Sequence, residues 1–247
     1  MDRDLKRLVC GVPDDESELG EALNQIGMSL SAVIDGLMAV KDSNHISFFG
    51  PFLGRSILEL GCTAVLARID PFRILMLREV QKQSDYQVGK QNKASIQWQG
   101  DILAEKVKDG LWKDKNIVKP TRALLGDYYE HIFWKNAIEK LLDNVPTGRG
   151  GEWLARIRNI GSEGFCSNIR RELRRLYSTL SKGIHHEFVI STESIFDRST
   201  ISNLIQDSFY IIASLGLAIN SVSHIPFRIS FEKSLDYYEN FQKAEII

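Results

Sequence analysis

The chain has 247 residues, of which 43% are hydrophobic and 26% charged, and its net charge is −1. This composition excludes a disordered chain, and the length is enough for one large core without metal or disulfide staples. The near-zero charge excludes a global field that would draw the chain to nucleic acid or an anionic membrane, so such binding would have to come from a local patch.

The charged start, Met1 to Arg7, is followed by no apolar run and does not read as a signal peptide. Residues 1–13 are expected to be an N-terminal tail ordered only in a complex. Leu19, Leu23, Ile26, Leu30, Val33, Leu37 and Val40 then recur at steps of three and four, which predicts a helix over 16–41 with Asp14 and Asp15 as candidate caps. Ser43-Asn44 breaks the chain. A second helix over 46–69 is apolar on most sides through Phe48, Phe49, Phe52, Ile57 and Val65, and is expected to be central. Asp70-Pro71 restarts a helix that runs to about Gln83, with Asp as cap and Pro in the first turn. A loop at 84–93, a helix at 94–108 and a Lys/Asp-rich connection follow. A long helix is expected over 121–142.

Val145 to Gly151 is a breaker and the candidate joint between subdomains. Helices are then expected at 152–159, 167–186, 199–223 and 231–243. The longest uncharged stretch, Ser208 to Phe227, contains Ser208, Ser214, Asn220 and His224 and reads as a buried core helix rather than a membrane span. No period-two alternation or hairpin signal occurs. The expected fold is an all-α, single-domain helical bundle over 14–247. Cys10, Cys62 and Cys166 are odd in number and widely spaced, which fits a reducing, cytoplasmic setting with each thiol as a small buried hydrophobe.

The candidate nucleic-acid-binding segment is Asn168–His186. Ile169, Leu173, Leu176 and Leu180 share one helical face, with Arg170, Arg174, Ser178, Ser181 and His185 on the adjoining stripe and Arg171, Arg175, Lys182 and His186 on the next. Between Gly148 and His186 stand eight basic residues and three acidic ones, a local basic island that could hold phosphates. The histidines titrate near neutral pH and suit acid–base chemistry. The alternative is a solvated face whose arginines pair with carboxylates on neighbouring helices. Arg55 and Glu59 stand at i and i+4, an ordinary helix pair unless the surrounding helix is buried, where the pair would need a partner such as His185. Gly50 to Ser56 has the wrong spacing for a phosphate loop. Adjacent His185 and His186 cannot both face one ion, so no metal or other cofactor is expected.

Tyr177-Ser178-x-Leu180-Ser181-x-x-Ile184-His185 resembles the Tyr-x-x-Leu-Ser-x-x-Val-His segment of HEPN-like helical bundles. Phe52-Leu53-x-Arg55-Ser56-Ile57-Leu58-Glu59-Leu60 resembles their early helix, where an Arg-x-x-x-Glu pair projects toward a polar centre. The resemblance implies a HEPN-like core with additional helices. It also implies a role in prokaryotic phage defence, abortive infection or toxin–antitoxin systems, where many members are metal-independent ribonucleases. Their signature is an arginine, four to six residues, then a histidine. Before His185 those positions hold Leu180, Thr179 and Ser178, and before His186 they hold Ser181, Leu180 and Thr179.

Three functions therefore stand open. The first is a defence or toxin-type component that acts on or with nucleic acid, RNA or DNA, and that a noncanonical Arg55, Glu59 and His185 centre would make a metal-independent endoribonuclease. The second is a catalytically silent subunit that binds a protein partner or another copy of itself. The third is a small-molecule sensor with helix 46–69 lining its pocket.

Overall fold

The computed structural model describes residues 2–14, 16–87, 94–104, 122–183 and 196–244. In chain order these form α1 (Asp2–Cys10), α2 (Glu18–Val40), α3 (Ile46–Ile69) and α4 (Pro71–Gln81), then a π turn at Trp98–Ile102. α5 (Asp127–Tyr129) passes through a second π turn, Glu130–Trp134, into α6 (Lys135–Asn144). α7 (Gly151–Lys182), α8 (Arg198–Asn220) and α9 (Phe231–Lys243) follow. No strand is present among the described residues, so the fold is an all-α bundle, as the helical periodicity predicts. One buried cluster takes residues from every named helix except α5, whose Tyr129 packs against it, and the turn at 145–151 does not divide it.

From Ser208 to Asn220 every residue of α8 is buried, which makes this helix the axis of the core. Its serines are satisfied locally: Ser208 donates to the Leu204 carbonyl at 2.7 Å, and Ser214 shares a hydrogen bond with the Tyr238 hydroxyl at 3.1 Å. α3 lies close against α8 because its facing positions are glycines. A Cβ at Gly61 would stand 2.5 Å from Ile212 Cγ2, and one at Gly50 would stand 2.5 Å from Ile201 Cγ2. Each aliphatic side chain fully buried along this contact contributes about 1.5–3 kcal/mol. By length and composition α2 is the described helix apolar enough to cross a membrane; its Leu23, Leu30, Ile34 and Leu37 are buried in the core cluster.

Several expectations need correction. The N-terminal segment is not a tail: Leu5, Leu8, Val9 and Cys10 are fully buried, and α1 packs against α2, α8 and α9. The cap of α2 is Ser17, which accepts from Gly20 N at 3.0 Å, while Asp14 in turn accepts from the Ser17 amide and hydroxyl. The first turns of α3 are buried on one face only: Ile46, Ser47, Gly50 and Pro51 are buried, while Phe48, Phe49 and Phe52 are about half exposed. The expected helix at 94–108 is, over its described part, a π turn broken at Gly100, whose φ of 100° favours glycine. The helix expected from 121 begins at Asp127. Its π turn shifts the inward register to Phe133 and Trp134 and leaves Ile132 exposed. The joint between the pieces expected at 152–159 and 167–186 is narrower than expected: over the described residues two helical pieces, together α7, meet at a kink at Gly161, whose φ is 71°.

Candidate functional site

α3 crosses α7, and there the two segments that carried the resemblance meet. Arg55 Nε donates to Glu59 Oε1 at 3.1 Å along one face of α3. Tyr177, from α7, bonds to both: its hydroxyl accepts from Arg55 Nη2 at 2.6 Å and donates to Glu59 Oε1 at 3.0 Å. The Arg55 guanidinium carbon lies 4.5 Å from the centre of the Tyr177 ring. Burial, followed by the negative charge of Glu59, raises the Tyr177 phenol above its usual range, with Arg55 pulling the other way. The phenol is therefore protonated at neutral pH and available to donate. The Arg55 and Glu59 side chains remain 29% and 43% exposed, so the cluster opens to solvent.

Trp98 completes the cluster. Its ring stacks on Tyr177 at 4.2 Å between centroids with an interplanar angle of 12°. The π turn that carries it is held by Asp101, which accepts from Gln97 N at 2.8 Å and from Arg73 Nη1 at 3.2 Å. Backbone bonds from Leu124 and Leu125 to the carbonyls of Asp101 and Ile102 fix the turn from the other side. Trp98 and Glu59 both line a groove of about 840 Å³ bounded by α2, α3, α4 and residues 95–102. Sequence reasoning named Tyr177 but gave it no role, and it missed Trp98. A single aromatic in a polar segment had no local signal of its tertiary stacking.

The arginine segment is mostly neutralised. Arg170 is largely buried and pairs with Asp127 at 3.3 Å and Glu130 at 3.0 Å. Arg175 pairs with Glu172 at 2.9 Å and with Asp207 of α8 at 2.7 Å, and Arg171 with its neighbour Glu172 at 3.3 Å. Arg174 and Lys182 are exposed and make no ion pair among the described residues. The carboxylates that quench the island come largely from other elements, so a count along one segment overstates its free charge. His185 and His186 lie outside the described residues. The glycine-flanked stretch Gly50 to Ser56 is helical and forms no phosphate loop.

A second polar centre was missed altogether. Arg68, at the far end of α3, is 1% exposed. It donates through Nε to the Pro226 carbonyl at 3.0 Å, through Nη1 to the carbonyls of Leu8 and Val9 at 3.1 and 3.3 Å, and through Nη2 to Asn220 Oδ1 at 3.0 Å. The signal was present: an arginine inside the apolar run Val65-Leu66-Ala67-Arg68-Ile69 has little chance of reaching water. No family model, no curated protein and no solved structure matches this chain.

Proposed function

We propose that the chain is a HEPN-like component of a prokaryotic defence or toxin-type system that acts on or with RNA. One observation carries this reading. The Arg-x-x-x-Glu pair and the Tyr-x-x-Leu-Ser segment, far apart in sequence, join in one hydrogen-bonded cluster through Tyr177. In this reading Glu59 and Tyr177 orient the Arg55 guanidinium, and Arg55 Nη1, which has no partner among the described residues, meets a phosphate oxygen. His185 takes up and returns the proton that metal-free RNA cleavage requires. The cationic group thus comes from α3 in place of the usual arginine before the histidine. Wild type and His185→Ala expressed at equal levels test this by growth and total RNA profiling. The reading expects arrest and fragmented RNA from wild type alone; intact RNA with both defeats the nuclease form.

A second reading, a silent subunit that assembles with another copy of itself, is favoured by the half-exposed Phe48, Phe49 and Phe52 on the first turns of α3. It expects a dimer or larger species on sizing with light scattering at micromolar concentration, converted to monomer by Phe49→Glu with Phe52→Glu. A monomeric wild type rules it out.

A further inference from the structure

α2 carries two apolar rows. Leu23, Leu30, Ile34 and Leu37 are buried in the core. Ile26 and Val33 are only partly buried and line the groove, facing a surface built by Leu60 of α3, Leu77 of α4, Ile96 and Trp98. Apolar side chains left half-covered in a concavity of about 840 Å³ match the size and character of small-molecule sites, which run from about 300 to 1,000 Å³.

The charged lining selects the ligand. Glu21, Glu59 and Arg78 reach the groove. Arg78 is engaged by the Glu21 carboxylate and the Glu18 carbonyl. Glu59 uses a single oxygen, Oε1, for both Arg55 and Tyr177, and Oε2 has no partner among the described residues. Each lining carboxylate is thus paired with a guanidinium, Glu21 with Arg78 and Glu59 with Arg55, and what remains is an unengaged acceptor, Glu59 Oε2, at the edge of an apolar surface.

We infer that this groove binds an amphipathic amine: a small ligand with a flat apolar body lying along Ile26, Val33 and Leu60 and a protonated amine donating to Glu59 Oε2. The inference is independent of the RNA reading, because binding is measured on the isolated protein. It adds a ligand site that adjoins the Arg55 cluster and shares Glu59 with it.

The test is calorimetric titration of the full chain with three indoles that differ only in their polar group: tryptamine, tryptophol and indole-3-acetate. Saturable binding should follow that order, with tryptamine at least tenfold tighter than tryptophol and indole-3-acetate weakest. Val33→Trp and, separately, Ala22→Phe fill the groove, and each should weaken tryptamine at least tenfold while circular dichroism stays that of wild type. Glu59→Gln should keep the apolar binding and erase the preference for the amine, a readout that does not depend on either filled variant folding. No saturable tryptamine binding at millimolar concentration would overturn the inference. So would equal affinity for all three indoles, or undiminished binding by a folded Val33→Trp or Ala22→Phe protein.

Discussion

Two arginines on α3 are put to opposite uses. Arg68 directs four hydrogen bonds to carbonyl and amide oxygens drawn from α1, α8 and the turn at Pro226, and has no carboxylate partner among the described residues. Its charge is balanced in part by the carbonyl end of α1, where the helix dipole is negative. Burial still lowers its pKa to about 10. Arg55 makes two hydrogen bonds, to Glu59 and Tyr177, and its side chain is 29% exposed. A guanidinium has five N–H donors. Where nearly all are spent on the chain's own oxygens, as at Arg68, the group holds elements together. Where several remain free beside a groove, as at Arg55, the group is oriented and still able to bind something else.

The contrast is most sharply broken at Arg68. Arg68→Met takes the Arg68 donor from the carbonyls of Val9 and Pro226 and leaves the Leu8 carbonyl and the Asn220 amide oxygen with one donor each, Asn220 Nδ2 and Ile229 N, and should cost about 3–5 kcal/mol in urea unfolding. Cys10 reports the same event. Burial raises the Cys10 and Cys166 thiols to about 12 and pushes Cys62 up as well, so none should react with a disulfide reagent at pH 8 in the native wild type. In Arg68→Met, Cys10 should label first as α1 loosens; simultaneous labelling of all three thiols would mean that α1 does not detach separately.

Between the two arginines, Gly61→Ala drives a methyl into Ile212 and should cost about 1–3 kcal/mol, measured by the shift in urea midpoint. At the open end, Tyr177→Phe removes the hydroxyl that bonds to both Arg55 and Glu59 from α7. Its stability cost should be about 1 kcal/mol or less, yet in the proposed nuclease reading RNA fragmentation should fall at least tenfold. Unchanged fragmentation would reduce the cluster to a helix-crossing contact. The smallest effect belongs to Arg174→Ala, within about 0.5 kcal/mol, because the side chain is exposed and has no ion pair among the described residues.

Local signals gave the elements well where the chain dictates them locally. The bounds 46–69 and 231–243 coincide with α3 and α9, and Asp70-Pro71 starts α4 with Asp70 accepting from Arg73 N at 3.3 Å. What escaped depends on partners distant in sequence. Nine residues of α1 are too few for periodicity to register as a helix, and what anchors them is the burial of Leu5, Leu8, Val9 and Cys10 against other helices together with the Arg68 bonds to the Leu8 and Val9 carbonyls. The π turns at Trp98 and Glu130 shift register by local backbone geometry that apolar spacing does not reveal. For the site, the pairing of Arg55 with Glu59 was legible from their i, i+4 spacing. The phenol that joins them from α7, the stacked Trp98 and the carboxylates that quench Arg170 and Arg175 were not, because each arrives from another element.

The central claim is that Arg55 is held for chemistry and Arg68 for folding. The most direct test expresses wild type and Arg55→Ala at equal levels, profiles total RNA from both, and measures the unfolding midpoint of each purified protein. The account predicts fragmented RNA with wild type, intact RNA with Arg55→Ala, and midpoints that differ by no more than about 1 kcal/mol in stability. Equal fragmentation by the two proteins, or intact RNA with wild type, would contradict it.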